Sequence, residues 1–135
     1  MPMEIFFEAP APAAIKRSRA LLKRAAYAAL GPGLSKLAVC LVFTSDSRIR
    51  KLNKKFLGKN RVTDVIAFNY TAPPGFAPPP VFGDIYVCLP QAARQAKAMG
   101  HSLLTELLIL CAHGALHLAG MDDDKLRGLV LDELG

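Results

Sequence analysis

The residues best suited to chemistry lie in one stretch, AHGALHLAGMDDD, from Ala112 to Asp124. His113 and His117 are four positions apart, so on a helix their imidazoles stand one turn apart on one face. Two imidazoles so placed can bind one divalent ion, as in the H-x-x-x-H half of zinc hydrolase motifs. Gly120 then lets the chain turn back, and three aspartates follow. Asp123 has the offset of the third ligand in H-x-x-x-H-x-x-G-x-x-ligand sites, with Asp122 and Asp124 as close rivals. The competing reading is a buried, hydrogen-bonded and inert histidine pair. The glycine and carboxylate at the right offsets favour the metal site. Position 114 is glycine where zinc peptidases carry a glutamate general base, which counts against a peptidase. Water activated by a divalent ion could still serve as nucleophile. His101 precedes this helix and reads as a cap or surface residue, and Cys111 points to the opposite side from His113.

These groups need a scaffold. The apolar run from Leu103 to Leu118 carries Glu106, His113 and His117, and predicts a buried helix from Ser102 to about Leu118, ended by Gly120. Upstream, MEIFFE predicts a short strand, and Ala13 to Leu30 a helix with Ile15, Leu22, Ala26 and Ala29 on one face, stopped by Gly31-Pro32-Gly33. KLAVCLVF is a continuous apolar run of strand length, so a central strand buried on both sides. TSDS offers helix N-caps, and Ile49, Leu52, Asn53 and Phe56 follow at helical spacing, with Arg48, Arg50, Lys51, Lys54 and Lys55 on the other faces. VTDVIAFNY and VFGDIYVCL are two more strands, separated by the proline-rich surface loop TAPPGFAPPP. Pro90 opens a helix running to Gly100, and a last helical segment runs from the aspartates to Leu134. The expected fold is α+β: one domain over residues 1–135, a mixed sheet of about four strands, about five helices, and the metal site at the end of the long helix.

The 135 residues are 52% apolar, enough to fill a core without disulfides. Cys40, Cys88 and Cys111 form no C-x-x-C pair and read as reduced thiols of a cytoplasmic protein. No signal peptide is read at the start, and the longest apolar run is too short and polar to span a bilayer, so no membrane is expected. Net charge is +6, unevenly spread. Up to Arg61 there are thirteen Lys/Arg against three acids; beyond it, four against eight. A basic half beside an acidic half points to a polyanion-binding surface next to a cation-holding site, although a basic bias also serves solubility.

HGALHLAGMDD resembles the H-G-x-L-H-L-x-G-Y-D-H signature of the YbeY family, bacterial endoribonucleases of ribosomal RNA maturation. LNKKFLGKNRVTDVIAFNY resembles that family's L-N-x-x-[YF]-R-x-x-x-x-x-T-D-V-L-S-F-P block, and GDIYVC its G-D-I-x-I strand. The resemblance covers essentially the whole chain and implies an α+β domain with a four-stranded sheet. It also implies one zinc ion held by three histidines, and single-strand endoribonuclease activity in 16S rRNA 3′-end maturation and ribosome quality control. The implied partners are rRNA and the small ribosomal subunit, with a ribosomal protein or an assembly GTPase beside them. By position, His113 and His117 match two ligands, the third family histidine falls on Asp123, and Asp122 matches the aspartate before it. The family's functional arginine falls on Leu57, the serine and proline of S-F-P on Ala67 and Asn69, and the tyrosine of G-Y-D on Met121.

The expected site is therefore His113, His117 and Asp123 as metal ligands, Asp122 as the catalytic carboxylate, and Arg48, Lys51, Lys55, Lys59 and Arg61 as the RNA-binding cations. Two histidines and one carboxylate suit zinc, and also iron or another divalent metal. Lys55, Lys59 and Arg61 are the candidates to replace the arginine absent at Leu57, itself otherwise a core-facing residue. Few aromatics accompany the cations in sequence, so base stacking is expected to be weak. The alternatives are a non-catalytic ribosome assembly factor with a structural metal, and a metal hydrolase acting on another substrate.

Overall fold

In the computed structural model, residues 3–32, 38–70, 75 and 83–120 are described. The proline-rich loop except Gly75, the last expected helical segment, and Asp122, Asp123 and Asp124 lie outside the described residues.

Strand β1 (Met3–Phe7) leads into helices α1 (Ala13–Lys16) and α2 (Arg19–Leu30), then strand β2 (Val39–Thr44) and helix α3 (Asp46–Leu57). Strands β3 (Val65–Asn69) and β4 (Gly83–Cys88) follow, then helices α4 (Leu89–Met99) and α5 (Leu103–Leu118). The sheet order is β1-β2-β4-β3. β1 and β4 both run parallel to β2, while β3 is an antiparallel edge strand on β4. Parallel neighbours cannot be joined by a tight turn, so helices cross between β1 and β2. The mixed sheet and the run of apolar residues in β2 agree with the sequence: Val39, Leu41, Val42, Phe43 and Thr44 are all buried.

The single helix expected over Ala13 to Leu30 is two helices. At Ser18 the backbone N–H bonds the Ile15 carbonyl rather than that of Ala14, and Ser18 Oγ donates to Ala14 O at 2.7 Å. A serine side chain competing for a helical carbonyl breaks the ladder there. The break leaves Ile15, Leu22, Ala26 and Leu30 buried in the core.

The sheet carries helices on both faces. One face meets α2 and α5, where Leu22, Ala26, Leu30, Leu107, Leu110, Cys111, Ala115 and Leu118 bury Leu41, Phe43, Ile85 and Val87. The other meets α3, whose Ile49 and Leu52 close over Ile66 and Cys88. A clasp joins α3 to α4: Arg94 donates two hydrogen bonds to the Asp46 carboxylate, at 3.1 and 2.8 Å. This arginine holds Asp46 below the usual carboxylate range. The Cys88 thiol donates to the same carboxylate at 3.2 Å.

Helix ends are specified locally. Ser45 and Ser102 cap α3 and α5, accepting from the Arg48 and Thr105 amides at 3.2 and 3.1 Å. His101, expected as a cap or surface residue, bonds the buried Glu106 carboxylate at 3.1 Å. Among the described residues, no single helix is long and apolar enough to cross a membrane; α4 and α5 meet at 116°.

Candidate functional site

α5 brings the two histidines to the site. Its buried stripe fixes its rotation, leaving His113 and His117 on a half-buried flank. Their rings are stacked, with centroids 4.9 Å apart and planes 13° from parallel. Two imidazoles one helical turn apart are a suitable donor pair for one first-row divalent ion. Among the described residues, no group of three His, Cys, Asp or Glu stands together to hold a metal. The expected third ligand, Asp123, and the expected catalytic Asp122 lie outside them.

Gly114, between the histidines, is where α5 presses closest to the sheet. A Cβ there would stand 2.5 Å from Ile85 Cγ2 and 3.1 Å from Val65 Cγ2. The glutamate of zinc peptidases therefore fails for a second reason: any side chain at 114 drives α5 off β4. Gly83 makes the same kind of approach at the start of β4, against Phe68 O and Leu118 Cδ2. Asn69 Nδ2 donates to Leu118 O at 3.1 Å, tying the end of β3 to the last turn of α5.

The histidines line a pocket of about 270 Å³ together with Asn53, Leu57, Lys59, Arg61, Thr63, Asp64, Val65 and Ile66. Residues fifty positions apart in sequence thus meet. Of the five expected RNA-binding cations, Lys59 and Arg61 share this pocket with the histidines. The other three, Arg48, Lys51 and Lys55, line a separate pocket of about 560 Å³. Of the three expected substitutes for the arginine absent at Leu57, Lys59 and Arg61 reach the pocket that Leu57 lines, and Lys55 does not line it. Leu57 is not in the core; it is 54% exposed and contributes to the pocket wall.

The loop carrying those cations has a fixed backbone. Gly58, at φ +71°, ends α3 in the left-handed conformation, and Gly58 N–H and Lys59 N–H donate to Lys54 O and Asn53 O. Asn53, only 2% exposed, donates through Nδ2 to Arg61 O at 3.0 Å. Arg50 Nε donates to Asn60 Oδ1 at 2.9 Å. Asp64 Oδ1 accepts from the Val65 amide at 2.8 Å and Oδ2 from Gln95 Nε2 at 3.3 Å. Its carboxylate thus orients the start of β3 beside the histidines.

Asn53, Thr63 and Asp64 were not among the expected site residues. Asn53 was legible as an amide on the inward stripe of an amphipathic helix. Thr63 and Asp64 had no signal beyond the T-D-V block, because their meeting with α5 is tertiary. Few aromatics accompany these cations in sequence, but the fold brings four beside them. Phe56, Phe68, Tyr70 and Tyr86 gather beside Arg48, Lys51 and Lys55.

The sequence profile of the endoribonuclease YbeY family matches residues 13–128. The chain belongs to the YbeY family. An endoribonuclease YbeY of Elusimicrobium minutum is 41% identical over 138 residues, spanning 100% of this chain and 96% of the relative. That of Thermus thermophilus is 41% identical over 93 residues, covering 69% of this chain and 67% of its own. The solution structure of TM1509 from Thermotoga maritima superposes with a TM-score of 0.58 at 28% identity, covering 89% of this chain and 73% of that one. The YbeY match extends across the histidine pair, the T-D-V segment and both pockets.

Proposed function

We propose that this chain is a metal-dependent endoribonuclease that cuts single-stranded RNA, with zinc as its ion. Its substrate would be the 3′ end of 16S rRNA on the small ribosomal subunit in the cytoplasm, in rRNA maturation and ribosome quality control. A ribosomal protein or an assembly GTPase would be its partner there. The observation that carries this reading is the single pocket lined by His113, His117, Lys59 and Arg61. A pair of metal-binding imidazoles beside two cations matches what cleavage of a phosphodiester requires: an electrophile and counter-charge for the phosphoryl oxygens.

His113, His117 and Asp123 would hold the ion. When bound, the ion supplies Lewis acidity toward a phosphoryl oxygen and makes water a competent nucleophile near neutral pH. The chain's own residues do the rest. Lys59 and Arg61 receive the phosphate, the guanidinium able to take two oxygens at once. They take the role of the family arginine that Leu57 replaces. Asn53 and Gly58 hold their loop in place. Asp122 accepts the proton of the attacking water.

Single-turnover cleavage of a short single-stranded RNA tests this. Arg61→Ala should slow it about 100- to 1,000-fold, the scale of one lost charge-stabilising donor. An unchanged rate would remove Arg61 from the chemistry. Elemental analysis of wild type and Asp123→Ala tests the ligand set: one metal per chain should fall well below one in the variant, and full retention rejects Asp123.

A second reading is a non-catalytic assembly factor with a structural metal. Leucine at position 57 favours it, since an apolar group there stabilises no phosphoryl charge. In that case Asp122→Asn, which leaves His113, His117 and Asp123 in place, restores ribosome maturation in cells as well as wild type does.

A further inference from the structure

The second pocket lies between α3 and the β3–β4 edge of the sheet. Arg48, Lys51 and Lys55 line it with Phe56, Phe68, Tyr70 and Tyr86, and no carboxylate is among its lining residues. Its volume of about 560 Å³ suits a nucleotide-sized ligand. The rings are ordered against each other. Phe56 and Phe68 meet edge to face at 5.0 Å, and Phe68 and Tyr86 at 5.9 Å. Lys55 Nζ stands 5.3 Å over the Phe56 ring. Tyr70 is anchored by its hydroxyl, which donates to Asp84 Oδ2 at 2.7 Å. Phe56 nevertheless remains 55% exposed, although it follows the inward spacing of α3.

We propose that this pocket is a subsite for one unpaired nucleotide of an RNA strand. Its base stacks on Phe56 against the edge formed by Phe68 and Tyr86, and its phosphates lie on Arg48, Lys51 and Lys55. The proposal rests on the endoribonuclease reading and deepens it. Three cations, of which Arg48 also meets Glu8 outside the pocket lining at 3.8 Å, select a polyanion, and the exposed Phe56 ring selects one that carries its own flat π-surface. Single-stranded RNA combines both.

The position fits the histidine pocket. Both pockets are built on α3 and β3: Asn53, Leu57, Val65 and Ile66 face the histidines, and Leu52, Phe56, Ala67 and Phe68 face the second pocket. Sites on neighbouring residues of the same two elements can be occupied by neighbouring nucleotides of one strand. A base in a duplex cannot offer its face to Phe56, so the subsite supplies the single-strand preference. Every base has such a face, so the subsite is tolerant of sequence.

The test uses the full chain with His113→Ala, which should leave RNA uncut, and short single-stranded RNAs carrying 2-aminopurine at successive positions. One position should be quenched on binding. Adding Phe56→Ala should relieve that quenching and weaken binding about ten-fold or more. An abasic nucleotide at the quenched position should weaken binding similarly, and Phe56→Ala should then cost nothing further. Lys51→Glu should weaken binding and flatten its salt dependence. Circular dichroism checks that each variant is folded. Unchanged quenching and affinity in the folded Phe56→Ala protein overturn the subsite. If wild type still cuts RNA in that case, the endoribonuclease reading survives alone. If wild type neither binds nor cuts RNA, both fall.

Discussion

Gly114→Ala puts the packing argument and the site argument to one test. The added Cβ would stand 2.5 Å from Ile85 Cγ2, whereas carbon atoms rest at about 3.5–4.0 Å. Relief needs roughly 1 Å or more of movement by α5, because Ile85 is fully buried in the central strand β4 and has nowhere to go. Overpacking of this kind costs about 1–3 kcal/mol, and this contact belongs at the upper end. Alanine returns about 1 kcal/mol of helix propensity over glycine. The net loss should be about 2 kcal/mol, read as a lower urea midpoint at constant slope. Ile85→Ala opens a space on the other side of the contact, itself at a cost of about 2–4 kcal/mol. In that background Gly114→Ala should be near neutral, since the propensity gain of about 1 kcal/mol then faces only the milder 3.1 Å contact with Val65 Cγ2. Equal destabilisation by Gly114→Ala in both backgrounds would refute the close approach. RNA cleavage should follow the same displacement: about 1 Å of misplacement of His113 and His117 can cost about a hundred-fold in rate.

Three further outcomes are expected. Burial pushes the Cys88 and Cys111 thiols up to about 12, so at pH 8 neither should react with a disulfide reagent until urea unfolds the chain; rapid reaction of all three cysteines in the folded protein would contradict their placement. Arg94 lowers the Asp46 pKa below its ordinary 3.8, so the clasp contributes fully above about pH 4 and is lost as pH falls through the lower folded value. Asp46→Asn should therefore cost stability at pH 7 and remove part of the acid loss below pH 4, and identical acid unfolding curves would speak against the clasp. Asn53→Ala should cost about 1–2 kcal/mol by unpairing the Arg61 carbonyl, and should lower RNA affinity as the Lys59–Arg61 loop loosens. Unchanged affinity at reduced stability would make Asn53 purely structural.

The residues that a single element brings together were legible in the sequence. The histidine pair needs only one turn of helix, and the apolar run around it predicts α5 to within a residue or two. The two-sided strand β2 and the glycine stops after α4 and α5 are local signals of the same kind. What required the structure was convergence between elements. Arg48 and Arg61 look alike as cations in a basic half, but one lines a pocket with aromatic rings and the other a pocket with the histidines. Phe56, Phe68 and Tyr86 are spread over thirty residues, one at helical spacing and two in separate strands; only the packing of α3 across β3 and β4 gathers them in one pocket. The break at Ser18 depends on whether its hydroxyl bonds Ala14 O or solvent, a choice that periodicity does not express. Gly114 could be noted only as a missing glutamate until Ile85 was seen behind it.

The central claim is that the pocket joining His113 and His117 to Lys59 and Arg61 cuts RNA. The most direct measurement is cleavage of a single-stranded RNA spanning the 3′ end of the small-subunit rRNA precursor, by metal-loaded wild type and by folded His113→Ala protein purified in the same way. Cleavage by wild type at a defined position, reduced at least a hundred-fold in the variant, is the predicted result. Equal cleavage by the two proteins would contradict it.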